Sequence, residues 1–380
     1  MVELPYGHAP YRLDLTGRDA TVIEPRPLPP PPALTALLDA ALAAPIGRPA
    51  LAALVSAGSR VTVIVSDATR TEPRSELLEA LRRHLPAVRW TIAIATGTHG
   101  PSPLAPLGLP DIEATVLNHD GHHADGLVEL GVTRRGTPVR IHRCVLDADL
   151  VIATGCIRPH YFAGFGAGVK AIFPGLGEAA AIRVNHTLKT APGARAGIVD
   201  GNPCREDLEE AVAMVPTPGF LLNGVCGPDG LLHAAVAGDL RGAFRAGADL
   251  ARSWFTVRSP RAPIVIASDA LPVTATLYQA AKIAAACADL VEPGGTLVLA
   301  AECPDGIGPL PVVNESVFRL GVLPRLAPGV SIRLVSALSP SKVACTLVDY
   351  AASIESVLGE RAGRVVVIPR ASQLIIEAYS

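Results

Sequence analysis

The chain has 380 residues, 49% hydrophobic and 18% charged, with a formal net charge of −2. That balance supplies a packed core for two domains or one large one, excludes a disordered chain, and shows no basic face of the kind that binds nucleic acid. No apolar run reaches the roughly 18 residues of a membrane span, and no cationic segment precedes an apolar core as in a secretory signal. Seven cysteines without a CxxC pair read as reduced thiols of a cytoplasmic protein rather than as a disulfide framework.

Leu4–Gly7 opens an extended arm ending in the run Pro27–Pro32, which is polyproline-like and unfit for a central strand. The arm is expected to wrap the surface. Helical periodicity follows over Ala33–Ala44 and near Pro49–Ala57. Arg60–Val65 is short and β-branched, the signature of a buried strand. It empties into Ser66-Asp67-Ala68-Thr69-Arg70-Thr71 ahead of a helix reaching about His84, the place where α/β sheets bind ligands. Ser66 and Thr69 can cap that helix, the commoner use, or donate to a phosphate, whereas Arg70 can clamp a carboxylate bidentately. A second strand, Trp90–Ala95, ends in Thr96-Gly97-Thr98-His99-Gly100 and brings His99 to the same edge, where on its own it reads as a turn histidine. Asn118–Asp125 gathers His119, His122 and His123, but its spacing fits no zinc pattern such as HExxH, so a solvated turn is expected. Gly131–Ile141 reads as a hairpin about Arg135-Gly136.

Gly155–His186 is the most informative stretch. The apolar run Ala148–Thr154 leads into it as a buried strand. Gly164-Phe165-Gly166-Ala167-Gly168 is a turn whose backbone can approach a ligand closely and face an anion, and Lys170 stands at its end. His186 follows on a helix starting near Glu178, so a turn-borne lysine and a helix-borne histidine can converge on one bound group. The chain holds only four lysines, Lys170, Lys189, Lys282 and Lys342, its other cations being arginines. A nucleophilic amine is the one role a guanidinium cannot fill.

Beyond Gly201-Asn202-Pro203 come a helix over Cys204–Met214, strands Phe220–Val225 and Leu231–Val236 about a hairpin loop, and a helix over Leu240–Trp254. The pattern breaks at Val257–Pro263, which places a domain boundary between residues 1–257 and 258–380. Ile264–Ala267, Thr296–Ala301, Ser331–Val335 and Val365–Ile368 are strands of the second domain. Tyr278, Gln279 and Lys282 share one sector of a helix over Thr276–Lys282. Strands and helices alternate throughout, so the fold class is α/β.

The pattern PH-x-x-x-G-F-x-x-G-x-K-x-x-x-P-G, followed by His186 sixteen residues after Lys170, resembles the nickel-pincer lactate racemase family. SD-x-TR, ATGTHG and LYQ-x-x-K resemble it too, in the same order, over roughly residues 66 to 308. The family often has a serine and a glycine where this chain has Gly166 and Ala167. The resemblance implies two α/β domains with the active site in the cleft between them. It implies a nickel-pincer nucleotide, a pyridinium mononucleotide with two sulfur-containing arms, bound to Lys170 through a thioamide. Ser66, Asp67, Thr69, Gly164 and Gly168 would contact that cofactor, and His186 would ligate the nickel. The implied activity is racemisation or epimerisation of a 2-hydroxy acid by hydride transfer. His99 and His160 would be the acid–base pair, and Arg70, Tyr278, Gln279 and Lys282 would hold the substrate carboxylate. The implied partners are that small acid and the enzymes that build the cofactor, with the oligomeric state left open. Two rival readings are a non-catalytic carrier of the same cofactor and a zinc hydrolase built on the His119–Asp125 cluster.

Overall fold

The computed structural model of the chain describes residues 1–379 and divides into two compact units. One is Pro27–Trp254; the other joins Met1–Arg26 to the residues from Phe255 on.

In the first unit, Arg60–Ser66, Arg89–Ala95, Ala114–Asn118, Leu150–Ile157 and Gly219–Cys226 form a parallel sheet, with Leu232–Gly238 antiparallel at one edge. Leu150–Ile157 is buried along its whole length, as a parallel strand covered on both faces must be. It lies beside Arg60–Ser66 at the centre. From Arg60–Ser66 the chain winds outward through Arg89–Ala95 to Ala114–Asn118, while from Leu150–Ile157 it winds the other way, to Gly219–Cys226. The winding therefore reverses between the two central strands, and the crevice at their carboxyl ends is the place where such a sheet accepts a ligand.

Helix Arg74–His84 shows how the sequence covers this sheet. Leu77, Leu78 and Leu81 recur at helical spacing and are fully buried against Val63, Ile92 and Ile152, each worth roughly 1.5–3 kcal/mol of burial. Arg82, Arg83 and His84 lie in the last turn, where cations complement the helix dipole. Leu85 then turns extended because Pro86 follows it.

The second unit carries a parallel sheet in the order Asp349–Ala351, Ser331–Val335, Val291–Ala300, Ala262–Ser268, Val365–Ile368, Ala20–Val22. The N-terminal arm departs here from its expected surface course. Val2–Leu4 pairs with Tyr11–Leu13, Leu4 and Leu13 are fully buried, and Ala20–Val22 adds to the sheet edge beside Val365–Ile368. An edge strand presents unpaired backbone groups that a distant segment can satisfy, so residues 1–26 group with the C-terminal unit although the sequence placed them in the first domain. The change of unit falls at Trp254/Phe255. The helix expected near Pro49–Ala57 shrinks to Leu51–Leu54. All seven cysteines are free, and no helix among the described residues is long and apolar enough to cross a membrane.

Candidate active site

The site grows from the carboxyl ends of the central strands. Arg60–Ser66 delivers Asp67, which is 4% exposed. One Asp67 oxygen accepts from the Thr69 amide at 2.9 Å and the Thr69 hydroxyl at 2.5 Å; the other accepts from His99 Nδ1 at 2.7 Å. Burial raises the carboxyl's pKa, but the hydrogen bonds from His99 and Thr69 outweigh it and hold the group below the usual range. A carboxylate at Nδ1 fixes the proton there and leaves the lone pair of the neutral ring on Nε2, the form of a general base. Thr69 thus serves Asp67 rather than a helix cap.

Arg74, which sequence reasoning missed, staples this loop. It is 5% exposed and donates through Nε to the Ser66 carbonyl at 2.8 Å and through Nη2 to the carbonyls of Arg70 (2.6 Å) and Asp67. Ser66 donates its hydroxyl to Glu72, whose second oxygen accepts the Cys156 amide at 3.3 Å. Arg70 itself is exposed, and no ion pair among the described residues engages its guanidinium.

On the neighbouring strand, Pro159–His160 pairs with Gly164–Phe165, folding the PHYFAGF run back on itself. Gly164 has φ +74°, and a Cβ there would meet the Ile198 carbonyl oxygen at 2.0 Å, so only glycine fits. The fold-back buries Phe162, and three singled-out side chains gather about its ring. The rings of His160 and His186 lie edge-on at 4.6 and 5.1 Å, and Lys170 Nζ is 5.6 Å from its centroid. His160 also stacks on Tyr161 at 5.4 Å, and its Nδ1 accepts the Ala163 amide at 3.2 Å. Burial, then the charges of Lys170 and Lys189, push the pKa of His186 down to about 4. The imidazole is therefore neutral at pH 7, the form that ligates a metal.

Arg158 is a second missed residue. Its Nη2 donates to the Thr71 carbonyl at 3.2 Å and lies 3.1 Å from Cys226 Sγ, while its own carbonyl accepts the Gly166 amide at 2.9 Å. It ties the Arg70 loop to the glycine turn. An arginine directly before Pro-His, at the end of an apolar strand, was the available signal.

In the second unit, Tyr278, Gln279 and Lys282 lie on helix Leu277–Cys287, capped by the Thr276 hydroxyl, which accepts the Gln279 amide at 3.2 Å. Lys282 Nζ donates to Gln279 Oε1 at 2.5 Å, so the two act as one group. Gly308 (φ +90°) packs on Tyr278, where a Cβ would come within 2.9 Å of the tyrosine Cβ.

The His119–Asp125 stretch proves to be a brace. His119 is 2% exposed, not solvated as expected, with Nε2 bonded to the Gly177 carbonyl at 3.0 Å. Thr96 donates to the His119 carbonyl at 2.8 Å, and exposed His122 reaches the Thr98 carbonyl at 3.1 Å. The stretch thereby supports the turn that carries His99. No cluster of three or more His, Cys, Asp or Glu able to hold a metal occurs among the described residues, which leaves the zinc reading without ligands.

A doubly wound sheet, with a carboxylate-held histidine in the turn beyond one strand and a glycine-turn lysine and two further histidines about the Phe162 ring beyond another, defines a doubly wound α/β protein. Residues 6–197 match the model of the lactate racemase N-terminal domain family. The chain is 32% identical over 280 residues to the lactate racemase of Thermoanaerobacterium thermosaccharolyticum, covering 70% of this chain and 66% of that protein. It is 31% identical over 276 residues to the lactate racemase of Lactiplantibacillus plantarum, covering 70% and 65%. The matched stretch thus spans just under two thirds of the length of either relative. The structure of the lactate racemase apoprotein from T. thermosaccharolyticum superposes with a TM-score of 0.87 at 25% identity over 99% of both chains. A crystal structure of a Thermotoga maritima protein (TM-score 0.63, 15% identity, 86% of this chain and 95% of that one) shares the fold alone. The chain belongs to the lactate racemase family.

Proposed function

We propose that this protein racemises or epimerises a 2-hydroxy acid, lactate or a close relative, using a nickel-pincer nucleotide attached to Lys170. The observation that carries the reading is the gathering of Lys170, His160 and His186 about the Phe162 ring. The residues present fit the cofactor. Lys170 offers an amine at the end of a glycine turn, and neutral His186 offers the imidazole that suits nickel beside soft donors. Gly164 and Gly168 let the turn fold tightly against Ile198 and Phe244, and the Ser66 and Thr69 hydroxyls, which donate to Glu72 and Asp67, keep lone pairs that can accept from a nucleotide, whereas Asp67 is committed to His99. When bound, the group supplies a hydride acceptor, which matters because the C2–H of a hydroxy carboxylate is too weak an acid for simple deprotonation.

The chain's own residues move the protons and hold the substrate. His99 is set to accept the hydroxyl proton at Nε2, because Asp67 keeps the other ring proton on Nδ1. His160 is assigned the same proton in the opposite enantiomer. In the first unit Arg70 takes the carboxylate; in the second, Lys282, held by Gln279 beside Tyr278, offers a substrate anion an ammonium of its own. A mere carrier would need Lys170 and His186 but has no use for the Asp67–His99 pair.

The test is chiral analysis of single-enantiomer lactate and a panel of 2-hydroxy acids with protein co-expressed with the cofactor-building enzymes. Racemisation of at least one acid is expected, abolished in Lys170→Ala and in a His99→Ala variant that still holds nickel. A nickel-loaded wild type inert on every acid would overturn the proposal in favour of the carrier.

A further inference from the structure

Buried side chains grip the peptide between Ala167 and Gly168 from both sides. The Ala167 carbonyl accepts from Arg205 Nη1 at 3.4 Å, and the Gly168 amide donates to Asn223 Oδ1 at 3.0 Å. Asn223 is fully buried in strand Gly219–Cys226, and its amide group donates to the Leu222 carbonyl at 3.0 Å, which fixes the direction of its oxygen. Arg205 is 1% exposed and lies 3.6 Å over the Phe244 ring, with Nε 3.5 Å from Glu209. Neither its Nε nor its Nη2 has a hydrogen-bond partner, an unusual state for a buried guanidinium. The fit leaves no slack: a Cβ on Gly168 would lie 2.6 Å from Phe244 and 2.8 Å from Arg205 Nη2.

The gripped residue is strained. Ala167 has φ 59° and ψ −157°, a conformation open to glycine and avoided by residues with a Cβ. A strained residue persists only where its surroundings over-determine it, and the two side chains on either face of its peptide supply that restraint. Glycine would take this backbone freely; an alanine here needs a restraint from its surroundings.

We propose that Arg205 and Asn223 are positioning residues that lock the glycine turn so that Lys170, two residues past the gripped peptide, presents its amine for cofactor attachment. This rests on the reading that Lys170 carries the cofactor. The role falls to Arg205 and Asn223 together because one fixes the carbonyl and the other the amide of the same peptide, so its plane cannot rotate.

The test compares wild type, Asn223→Ala and Arg205→Lys, each with and without Ala167→Gly. Arg205→Lys keeps a buried cation near Glu209 but loses the planar fork. Backbone hydrogen exchange over residues 166–170 is read in the apoprotein alongside its melting temperature, and occupancy of the Lys170 adduct is read by intact mass after co-expression. Either variant is expected to speed exchange in the turn about tenfold or more, as for a local opening, and to lower adduct occupancy severalfold. Adding Ala167→Gly is expected to restore occupancy, because glycine reaches the conformation unaided. Unchanged exchange in both variants would overturn the proposal. So would lost occupancy that tracks a collapsed melting temperature and is not rescued by glycine. If the wild type itself carried no adduct, the assignment of Lys170 would fail, while exchange in the apoprotein would still decide whether the turn is locked.

Discussion

His99 and His160 stand at the carboxyl ends of strands in one sheet but are held by different physics. His99 is anchored by charge: a buried carboxylate, itself fixed by Thr69 and by an Arg74-stapled loop, accepts its Nδ1 proton. His160 is anchored by shape, between Tyr161 and Phe162, and its Nδ1 accepts a backbone amide instead. The consequence lies in the tautomers. In the neutral state His99 carries its proton on Nδ1 and offers a lone pair at Nε2, whereas His160 keeps its lone pair on Nδ1 and its proton on Nε2. As the structure stands the two rings present different Nε2 atoms, a lone pair on His99 and an N–H on His160, so the proposed role of His160 as a base requires its ring to change tautomer first.

The largest expected effect comes from breaking the charged anchor. Asp67→Asn leaves the shape but lets the amide favour the wrong tautomer, and turnover should fall by about 10²- to 10⁴-fold. Nickel per chain should stay unchanged, as metal analysis beside steady-state rates will show. The same variant tests the pH dependence. Because the Asp67 carboxyl lies below its ordinary value in the fold, its contribution to stability is fully present above about pH 4 and is lost as pH falls through the lowered value. Denaturant melts of the apoprotein should therefore show a wild-type advantage over Asp67→Asn that is flat from pH 7 down to about pH 4 and shrinks below it.

Breaking the shaped anchor should cost less in turnover and more in loading. Phe162→Leu keeps much of the volume but removes the ring shared by His160, Lys170 and His186, a loss of about 1 kcal/mol in aromatic contacts. A lower melting temperature and less nickel per chain are expected, with less than a tenfold loss of turnover per bound nickel. The smallest effect belongs to His122→Ala, which removes one exposed bond to the Thr98 carbonyl behind His99. A change in melting temperature of about 1–2 °C is expected, with turnover within twofold.

The strands that carry this site were legible because they are short, β-branched and buried on both faces. Arg60–Val65, Trp90–Ala95 and Phe220–Val225 fall within one or two residues of the observed elements, and Ser331–Val335 and Val365–Ile368 match them. The strands of the N-terminal arm were not legible, since a three-residue strand shows no period and the partner of Ala20–Val22 lies more than 300 residues away. Within the site, residues beside glycine turns could be picked out because the turn itself is a local signal. Arg74, Arg205 and Asn223 could not. Their roles come from burial against backbone carbonyls and amides, supplied to Arg74 by its own loop and to Arg205 and Asn223 by distant segments, and in an arginine-rich chain a buried guanidinium looks like any surface one. His119 was misjudged for the same reason: its neighbours suggested a solvated turn, while Gly177, far along the chain, buries it.

The central claim is that Lys170 and His186 hold a nickel-bearing nucleotide, and intact-protein mass spectrometry with metal analysis, after co-expression with the cofactor-building enzymes, tests it most directly. The account predicts an adduct of pincer-nucleotide mass mapped to Lys170, with nickel present in the wild type and lost in His186→Ala. An unmodified chain, made beside a known racemase that loads under the same conditions, would contradict it.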